Sequence, residues 1–290
     1  MSTGINYLNE QWSPIGMRCN FEACPCRAGC WHLTRAHRLS CNPKLPEDVR
    51  NAYAGGLPVL VQKRLDQPLR WKKPRRIGVQ FMGDMFDNQV PYSWQLQVFK
   101  KGIEASIQHQ FFFLTKQVGN MKDAVLNTFR DRQRMIPMNF YWGISVTDQE
   151  DADRMLPELL RIPGRHWVSV EPMLGPVDFS YNRFCGKMGW GPPDPPRKNG
   201  DHVERLRTQS KWVLSKISLV VLGCESGKNR RPCPIEWMVD VVQQCKAAGV
   251  PVWVKQLLMP RFHAGYGECV YDVVHDINLF PKELQVRQRP

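Results

Sequence analysis

Short apolar runs, rich in β-branched and aromatic residues, alternate along the chain with helix-length segments. The apolar runs predict strands at residues 5–12, 77–82, 111–115, 139–146, 166–171, 217–223 and 250–256. The intervening segments predict helices at residues 31–40, 93–107, 119–134, 148–161 and 234–248. Continuous apolar strands that alternate with helices are typical of a parallel sheet. We therefore expect an α/β fold, a partial or complete parallel β/α barrel, with an open doubly wound sheet as the alternative.

Two stretches interrupt this alternation. Residues 58–76 are rich in Lys and Arg, and residues 180–212 contain GWGPPDPPRKNG, which has too much Pro and Gly for a regular element. Each stretch is interpreted either as a nucleic-acid contact or as a solvated surface. We expect a barrel domain over residues 1–260, with an insertion at about 180–212, and a C-terminal extension over residues 261–290.

Polar side chains follow the predicted strands, and β/α barrels carry their chemistry at the carboxyl ends of their strands. The charged and hydroxyl groups at these positions are Asp84, Lys116, Ser145, Glu171, Glu225, Ser226 and Lys255. Loops are polar in general, but that alone would supply Asn, Gly and Ser as readily as Asp, Glu and Lys. A ring of acidic and basic groups is suited to binding a zwitterion and to transferring protons. We therefore expect these side chains to form a site.

The net charge of the chain indicates what kind of partner this site acts on. The chain has 290 residues, 42% of them hydrophobic, which is enough for a core. Lys plus Arg number 40 and Asp plus Glu number 27, so the net charge is +13. Such an excess favours a polyanionic partner. An ordinary basic protein without such a partner is the alternative.

The cellular location is also predicted from composition. No window has the ~18 uninterrupted apolar residues of a membrane span, and Met1–Glu10 is polar and carries no signal peptide. We expect a cytoplasmic protein with no membrane partner, in which thiols stay reduced. Five of the ten cysteines are scattered and are expected to be buried or idle thiols. These are Cys185, Cys224, Cys233, Cys245 and Cys269.

Four other cysteines, Cys19, Cys24, Cys26 and Cys30, fall within twelve residues after the first predicted strand. Three thiolates on one loop can hold an iron–sulfur cluster. They can also hold zinc, if a further ligand completes the set. The candidates for that ligand are His32, His37 and Cys41. The cysteine spacing does not separate the two metals, but the segment lacks any C-x2-C pair and follows a barrel strand, which favours the cluster.

The chain resembles a phage-encoded family with a three-cysteine motif, long described as a domain of unknown function, within the radical S-adenosylmethionine superfamily. The family opens roughly W-N-P-x-T-G-C-x6-C-x2-C-Y, and Trp12-Ser13-Pro14, Cys19 and Cys26 match it. Cys30-Trp31 stands for its Cys-Tyr after a gap of three residues instead of two, which leaves Cys24 as a competitor of Cys26. Further matches are FMGDMFDNQVP (81–91), FFFLTK (111–116), WGISVTDQEDADRM (142–155), SVEPMLGPVD (169–178), GCESG (223–227) and VPVWVKQ (250–256).

The resemblance implies a 4Fe-4S cluster held by Cys19, Cys26 and Cys30, S-adenosyl-L-methionine as the second cofactor, and an electron donor that reduces the cluster. With one iron open, S-adenosylmethionine chelates it and is cleaved to methionine and a 5′-deoxyadenosyl radical. The expected cofactor-binding residues are Asp84, which meets the methionine amino group, Ser145, Glu225 and Ser226. The expected catalytic residues are Glu171, Lys116 and Lys255, the two lysines binding carboxylate or phosphate.

The resemblance and the charge together predict that the substrate is DNA, with a free nucleotide or a peptide as the alternative. We expect a role in hypermodification of phage DNA bases that evades host restriction, for example as an isomerase of an amino-acid-decorated thymidine. The location would then be the host cell cytoplasm. The alternative function is a zinc-stabilised, non-enzymatic nucleic-acid-binding protein.

Overall fold

The fold is known from a computed structural model that describes residues 5–20, 24–25, 30–130, 135–180, 213–227, 230–262 and 269–290. The strands in these ranges are β1 Glu10–Trp12, β2 Ile15–Gly16, β3 Val59–Leu60, β4 Arg76–Val79, β5 Gln110–Thr115, β6 Phe140–Val146, β7 Arg165–Val170, β8 Ile217–Gly223, β9 Val252–Phe262 and β10 Cys269–Val274. The α-helices are α1 Trp31–Ser40, α2 Glu47–Ala54, α3 Gln62–Leu65, α4 Tyr92–Glu104, α5 Val118–Thr128, α6 Gln149–Leu160 and α7 Ile235–Ala248. Short 3₁₀ turns lie at Pro68–Arg70, Ile277–Leu279 and Lys282–Leu284.

Eight of the described strands form one mostly parallel sheet, in the order β1-β4-β5-β6-β7-β8-β9-β10. The pairs β1–β4, β4–β5, β5–β6, β7–β8 and β8–β9 are parallel, and β10 is antiparallel to β9. β2 and β3 pair separately as a small antiparallel ladder. The predicted α/β class is therefore confirmed, and the sheet is compatible with a partial α/β barrel.

Each predicted strand and helix has a counterpart, with bounds that differ by a few residues. β9 differs most at its end, because it continues to Phe262 and pairs there with β10. Helices α2 and α3 and strands β2, β3 and β10 were not predicted. The predicted insertion falls on residues 181–212, and the predicted end of α5 on residues 131–134, both outside the described residues.

The chain divides into two compact units. The first unit comprises Met1–Ile144 with Arg161–Arg165, and the second comprises Ser145–Leu160 with His166–Pro290.

Aromatic side chains fill the core of the first unit. Phe99 of α4 packs edge-on against Phe113 of β5 at 5.6 Å and against Trp142 of β6 at 5.7 Å between ring centroids. Residues on the other face of the same strands also pack, because Phe112 and Tyr141 stack at 4.5 Å. All five rings are buried. Strands that are buried on both faces carry continuous apolar runs, and the FFFLT sequence of β5 is such a run.

The second unit packs α6 and α7 with β7, β8 and β9. α7 follows Pro234 and ends at Ala248, and the next residue, Gly249, has a left-handed φ of 70° that suits glycine. The chain terminus pairs with β9, because Val254 N donates to Val286 O at 3.0 Å. The guanidinium of Arg287 lies 5.7 Å from the centroid of the Trp253 ring. The last residues are therefore an integral part of this unit.

The packing of α4 gives a test of the core. A Cβ atom on Gly102 would lie 2.8 Å from Cζ of the buried Phe140 ring, whereas one on Gly119 in α5 would meet no atom within 4 Å. Helix propensity alone predicts that Gly→Ala stabilises by up to about 1 kcal/mol at either position. We expect Gly102→Ala to lower the free energy of unfolding by about 1–2 kcal/mol because the overpacked ring must move. We expect Gly119→Ala to leave it equal or higher.

Urea unfolding of the two variants measures this difference as opposite shifts of the midpoint at constant slope. Stabilisation of similar size in both variants would contradict the described contact between α4 and β6.

Candidate functional site

In the first unit, the side chain of Gln80 fixes the start of the cysteine-bearing segment. Its amide accepts from Ile15 N at 3.0 Å and donates to Ile15 O at 2.9 Å and to Met82 O at 2.6 Å. Gln80 is fully buried and has a positive φ of 53°, which is uncommon for a residue with a side chain. Such backbone strain persists only where surrounding contacts hold it. The amide therefore ties the chain after β1 to the chain after β4.

Two further contacts tie the segment to the same turn after β4. A Cβ atom on Gly83, whose φ is 102°, would lie 2.4 Å from Cγ of Met17, so glycine at this position lets Met17 approach. On the far side of the segment, Ala36 of α1 shares a buried cluster with Met82 and Tyr53. The chain just before Cys19 and the helix that follows Cys30 therefore both pack on residues 80–83.

Asp84 follows directly and joins the ends of β4 and β5. Its Oδ2 accepts from Thr115 Oγ1 at 2.7 Å and from Lys116 N at 3.1 Å, and its Oδ1 accepts from Phe86 N at 2.9 Å. Burial raises the pKa of the Asp84 carboxyl, although these hydrogen bonds favour the ionised form. The structure therefore brings the predicted Asp84 and Lys116 together, through the backbone of Lys116.

Three of the four clustered cysteines are described. Cys24 is buried, and Cys19 and Cys30 are half-buried. Cys26, the preferred second ligand, lies outside the described residues. Among the residues that the structure describes, no group of three His, Cys, Asp or Glu side chains is placed to hold a metal ion.

Two polar groups at the edges of this segment are buried without partners. Neither ring nitrogen of His32 has a hydrogen-bond partner, and nor does Nε of Arg18. Burial, and then the positive charge of Arg18, lower the pKa of His32 to about 4. His32 was weighed from the sequence only as a zinc ligand, and Arg18 was missed, since nothing in the sequence indicated its burial.

In the second unit, Glu171, directly after β7, forms an ion pair with Lys255. Lys255 lies within β9 and not at the predicted strand end, because β9 continues to Phe262. Their side chains are only 16% and 11% exposed. Ser145 Oγ donates to the backbone oxygen of Glu171 at 3.1 Å, and a Cβ atom on Gly223 would lie 3.3 Å from Cδ of Glu171. Three predicted residues, Ser145, Glu171 and Lys255, are thus neighbours.

Glu225 and Ser226 follow β8 but have different surroundings. Glu225 is buried and accepts from Arg231 N at 2.7 Å and from Arg231 Nη2 at 2.5 Å. Burial alone would raise the pKa of the Glu225 carboxyl, but Arg231 holds it below its ordinary value. Ser226 is exposed. Arg231 was missed because the sequence gave no sign of which side chain turns back onto Glu225.

His275 is a second residue that the sequence did not single out. It follows β10, and its pKa is lowered by burial and by the positive charges of Lys255 and Arg287, against the opposing charge of Glu171. Arg287 donates to the backbone oxygen of His275 at 2.6 Å. The residues after β10 therefore reach the neighbourhood of the Glu171–Lys255 pair.

The scattered thiols match their prediction where they are described. Cys224, Cys233 and Cys245 are buried, and burial raises the pKa of each to about 12. They are therefore protonated and unreactive at neutral pH. Cys185 and the side chain of Cys269 lie outside the described residues.

One protein family matches the chain over residues 2–262, and its description is "Protein of unknown function (DUF5131)". No curated protein and no solved structure matches the chain. No helix among the described residues is long and apolar enough to cross a membrane.

The Glu171–Lys255 pair gives a test of the second unit. Lys255→Met leaves the Glu171 carboxylate largely buried without its partner, so we expect a loss of about 3 kcal/mol in the free energy of unfolding. Adding Glu171→Gln removes that charge and should restore most of the loss. Urea unfolding of both single variants and the double variant measures the coupling. Additive single losses would mean that the two side chains do not interact.

Proposed function

The chain belongs to the DUF5131 family, and we propose that it is a radical S-adenosylmethionine enzyme that modifies DNA bases. The observation that carries the proposal is the attachment of the cysteine segment to residues 80–83, through Gln80, Met17 and α1. These contacts fix the chain on either side of the segment, next to Cys19 and after Cys30, beside the turn that follows β4. That edge of a parallel sheet is where α/β enzymes bind cofactors and substrates.

The residues of this segment fit an iron–sulfur cluster. Cys19, Cys26 and Cys30 supply soft thiolate ligands in a number that leaves one iron open. The N–H of the His32 ring and the Nε–H of Arg18, which are buried without a partner among the described residues, are donors suited to an anionic sulfur cofactor. When bound, the cluster supplies the electron that cleaves S-adenosylmethionine to methionine and a 5′-deoxyadenosyl radical.

The protein's own residues would orient the cofactor and the substrate and would bind their charged groups with side chains of opposite charge. Asp84 is fixed by three hydrogen bonds and accepts an ammonium group, which would lower the raised pKa of its carboxyl. Lys255 neutralises Glu171 and is the cation to which an arriving carboxylate or phosphate would bind instead. Lys116 is the corresponding cation after β5. Because Arg231 already engages Glu225, that pair orders the turn after β8 rather than offering an open carboxylate.

Exposed basic side chains of the first unit support DNA as the substrate. Six basic side chains are exposed and form no ion pair with any described residue. They are Lys63, Arg70, Lys72 and Lys73, and Arg35 and Arg38 on α1. Unpaired surface cations of this kind bind phosphates. Trp71 lies in the same stretch, but the guanidinium of Arg75, 5.5 Å from its ring centroid, already covers one face of the ring.

The reaction proposed is an isomerisation of an amino-acid-decorated thymidine. A hydrogen atom is taken from a C–H bond of the substrate, the substrate rearranges, and a hydrogen atom is returned, so that product and substrate have the same composition. No external oxidant is consumed. A base in duplex DNA would have to be flipped out of the stack, at a cost of a few kcal/mol.

One observation favours a second function, a zinc-stabilised nucleic-acid-binding protein. The unpartnered His32 follows Cys30 by two residues, and structural zinc sites combine Cys and His ligands. The two functions differ in the bound metal, since an anaerobically purified iron–sulfur protein is brown and a zinc protein is colourless.

Anaerobic reconstitution with iron and sulfide tests the ligand set. We expect Cys19→Ala, Cys26→Ala and Cys30→Ala each to abolish the visible absorbance, because each removes one iron ligand. The exposed Cys41 provides the matched control, and Cys41→Ala should keep the colour. Loss of colour in Cys24→Ala, with colour kept in Cys26→Ala, would reverse the assignment of the second ligand.

The same reconstituted protein tests the activity. With S-adenosylmethionine and a reductant, chromatography should detect 5′-deoxyadenosine, and the nucleosides of phage DNA should change. A coloured protein that forms no 5′-deoxyadenosine with or without phage DNA would reject the proposed chemistry.

Salt dependence tests the DNA partner. If about 6–10 phosphates are contacted, affinity should fall about 10³–10⁵-fold between about 50 and 200 mM salt. Lys72→Gln and Lys73→Gln should each weaken binding and reduce the slope by about one. Lys100→Gln is the control, because Lys100 is exposed on α4 beside Glu104. Absence of binding at low salt, or equal binding by all variants, would remove DNA from the proposal.

A further inference from the structure

In the first unit, His32 and Arg18 have buried nitrogen atoms that form no hydrogen bond with any described residue. His32 is 4% exposed, and neither Nδ1 nor Nε2 has a hydrogen-bond partner. Arg18 donates from Nη1 to Ala54 O at 3.2 Å, but its Nε is buried with no partner. The positive charge of Arg18 also lowers the pKa of His32, so the two groups are close enough to interact electrostatically.

Unpartnered buried donors of this kind need an explanation. Burying a polar group without a hydrogen bond is costly, and proteins leave few such groups unless a ligand or ion completes them. Two donors from different parts of the chain, one of them cationic, indicate one shared acceptor that is electron-rich and not part of the described protein. An apolar ligand would satisfy neither N–H group.

The positions of these residues indicate what that acceptor is. Arg18 directly precedes Cys19, and His32 follows Cys30 by two residues, so the pair brackets the cysteine segment. A cluster ligated by three thiolates is anionic, and its sulfur atoms accept N–H hydrogen bonds. Hydrogen bonds to sulfur and net charge are two of the factors that set a cluster's reduction potential.

We propose that His32 and Arg18 donate N–H hydrogen bonds to the sulfur atoms of the cluster and raise its reduction potential. This inference rests on the proposed function, because it requires the cluster to be present. A donor and a cation stabilise the more negative, reduced state, the state from which S-adenosylmethionine is cleaved. His32 is thus a positioning and tuning residue, not an iron ligand, which leaves the open iron accessible.

The variants His32→Leu and His32→Gln separate the hydrogen bond from the packing of the ring, since only Gln retains an N–H donor. His37→Leu is the matched control, because His37 is exposed on the same helix. After anaerobic reconstitution, each variant is assayed for iron and sulfide and titrated by EPR. At a fixed potential, His32→Leu should hold about tenfold less reduced cluster than wild type, a shift of 59 mV for one electron. His32→Gln and His37→Leu should remain near wild type, and Arg18→Met should shift in the same direction as His32→Leu.

Pulsed ENDOR of wild-type protein labelled with ¹⁵N-histidine measures the coupling of histidine nitrogens to the reduced cluster. This test does not depend on whether the His32→Leu variant folds. A weak ¹⁵N coupling to the reduced cluster, lost in His32→Gln, is expected. Absence of any coupling, or an unchanged potential in a fully loaded His32→Leu, would overturn the inference and leave the proposed function standing. A strong coupling typical of direct nitrogen–iron ligation would also overturn it. Wild-type protein that binds zinc but no cluster would overturn the proposed function itself.

Discussion

The arrangement of the first unit depends on one buried amide. Gln80 forms hydrogen bonds with the backbone on both sides, to Ile15 and to Met82, from a strained left-handed conformation. Because the amide is fully buried, it supplies hydrogen bonds to backbone groups of Ile15 and Met82 that would otherwise be buried without a partner. The chain between β1 and Cys19 is therefore held against the turn that leads from β4 to Asp84.

The second unit uses charge where the first uses an amide. Glu171 and Lys255 neutralise each other between β7 and β9, and Arg231 neutralises Glu225 after β8. Removing Lys255 would leave the mostly buried Glu171 charge uncompensated, so this ion pair stabilises the contact between the residue after β7 and strand β9. The chain terminus supports the same strands, since Arg287 covers Trp253 and donates to the backbone oxygen of Lys255 at 3.4 Å.

Strand and helix positions could be predicted because both faces of the parallel strands are buried, as Phe112 and Phe113 show with partners on opposite sides. The strand-end residues could be predicted for the same reason, since a charge after such a run is conspicuous. β10 could not, because its sequence alternates weakly and it forms only by pairing with the extension of β9. Gln80, Arg18 and Arg231 were also missed, because a polar residue within a loop has no periodic signature that shows which group it will contact.

The central claim is that the segment held by Gln80 carries a cluster with one open iron. The most direct measurement is metal and sulfide analysis of the anaerobically reconstituted wild-type protein, followed by EPR of the reduced cluster with and without S-adenosylmethionine. The account predicts roughly four iron and four sulfide per chain, with an EPR spectrum that changes when S-adenosylmethionine is added. One zinc per chain without iron, or a cluster whose spectrum ignores S-adenosylmethionine, would contradict it.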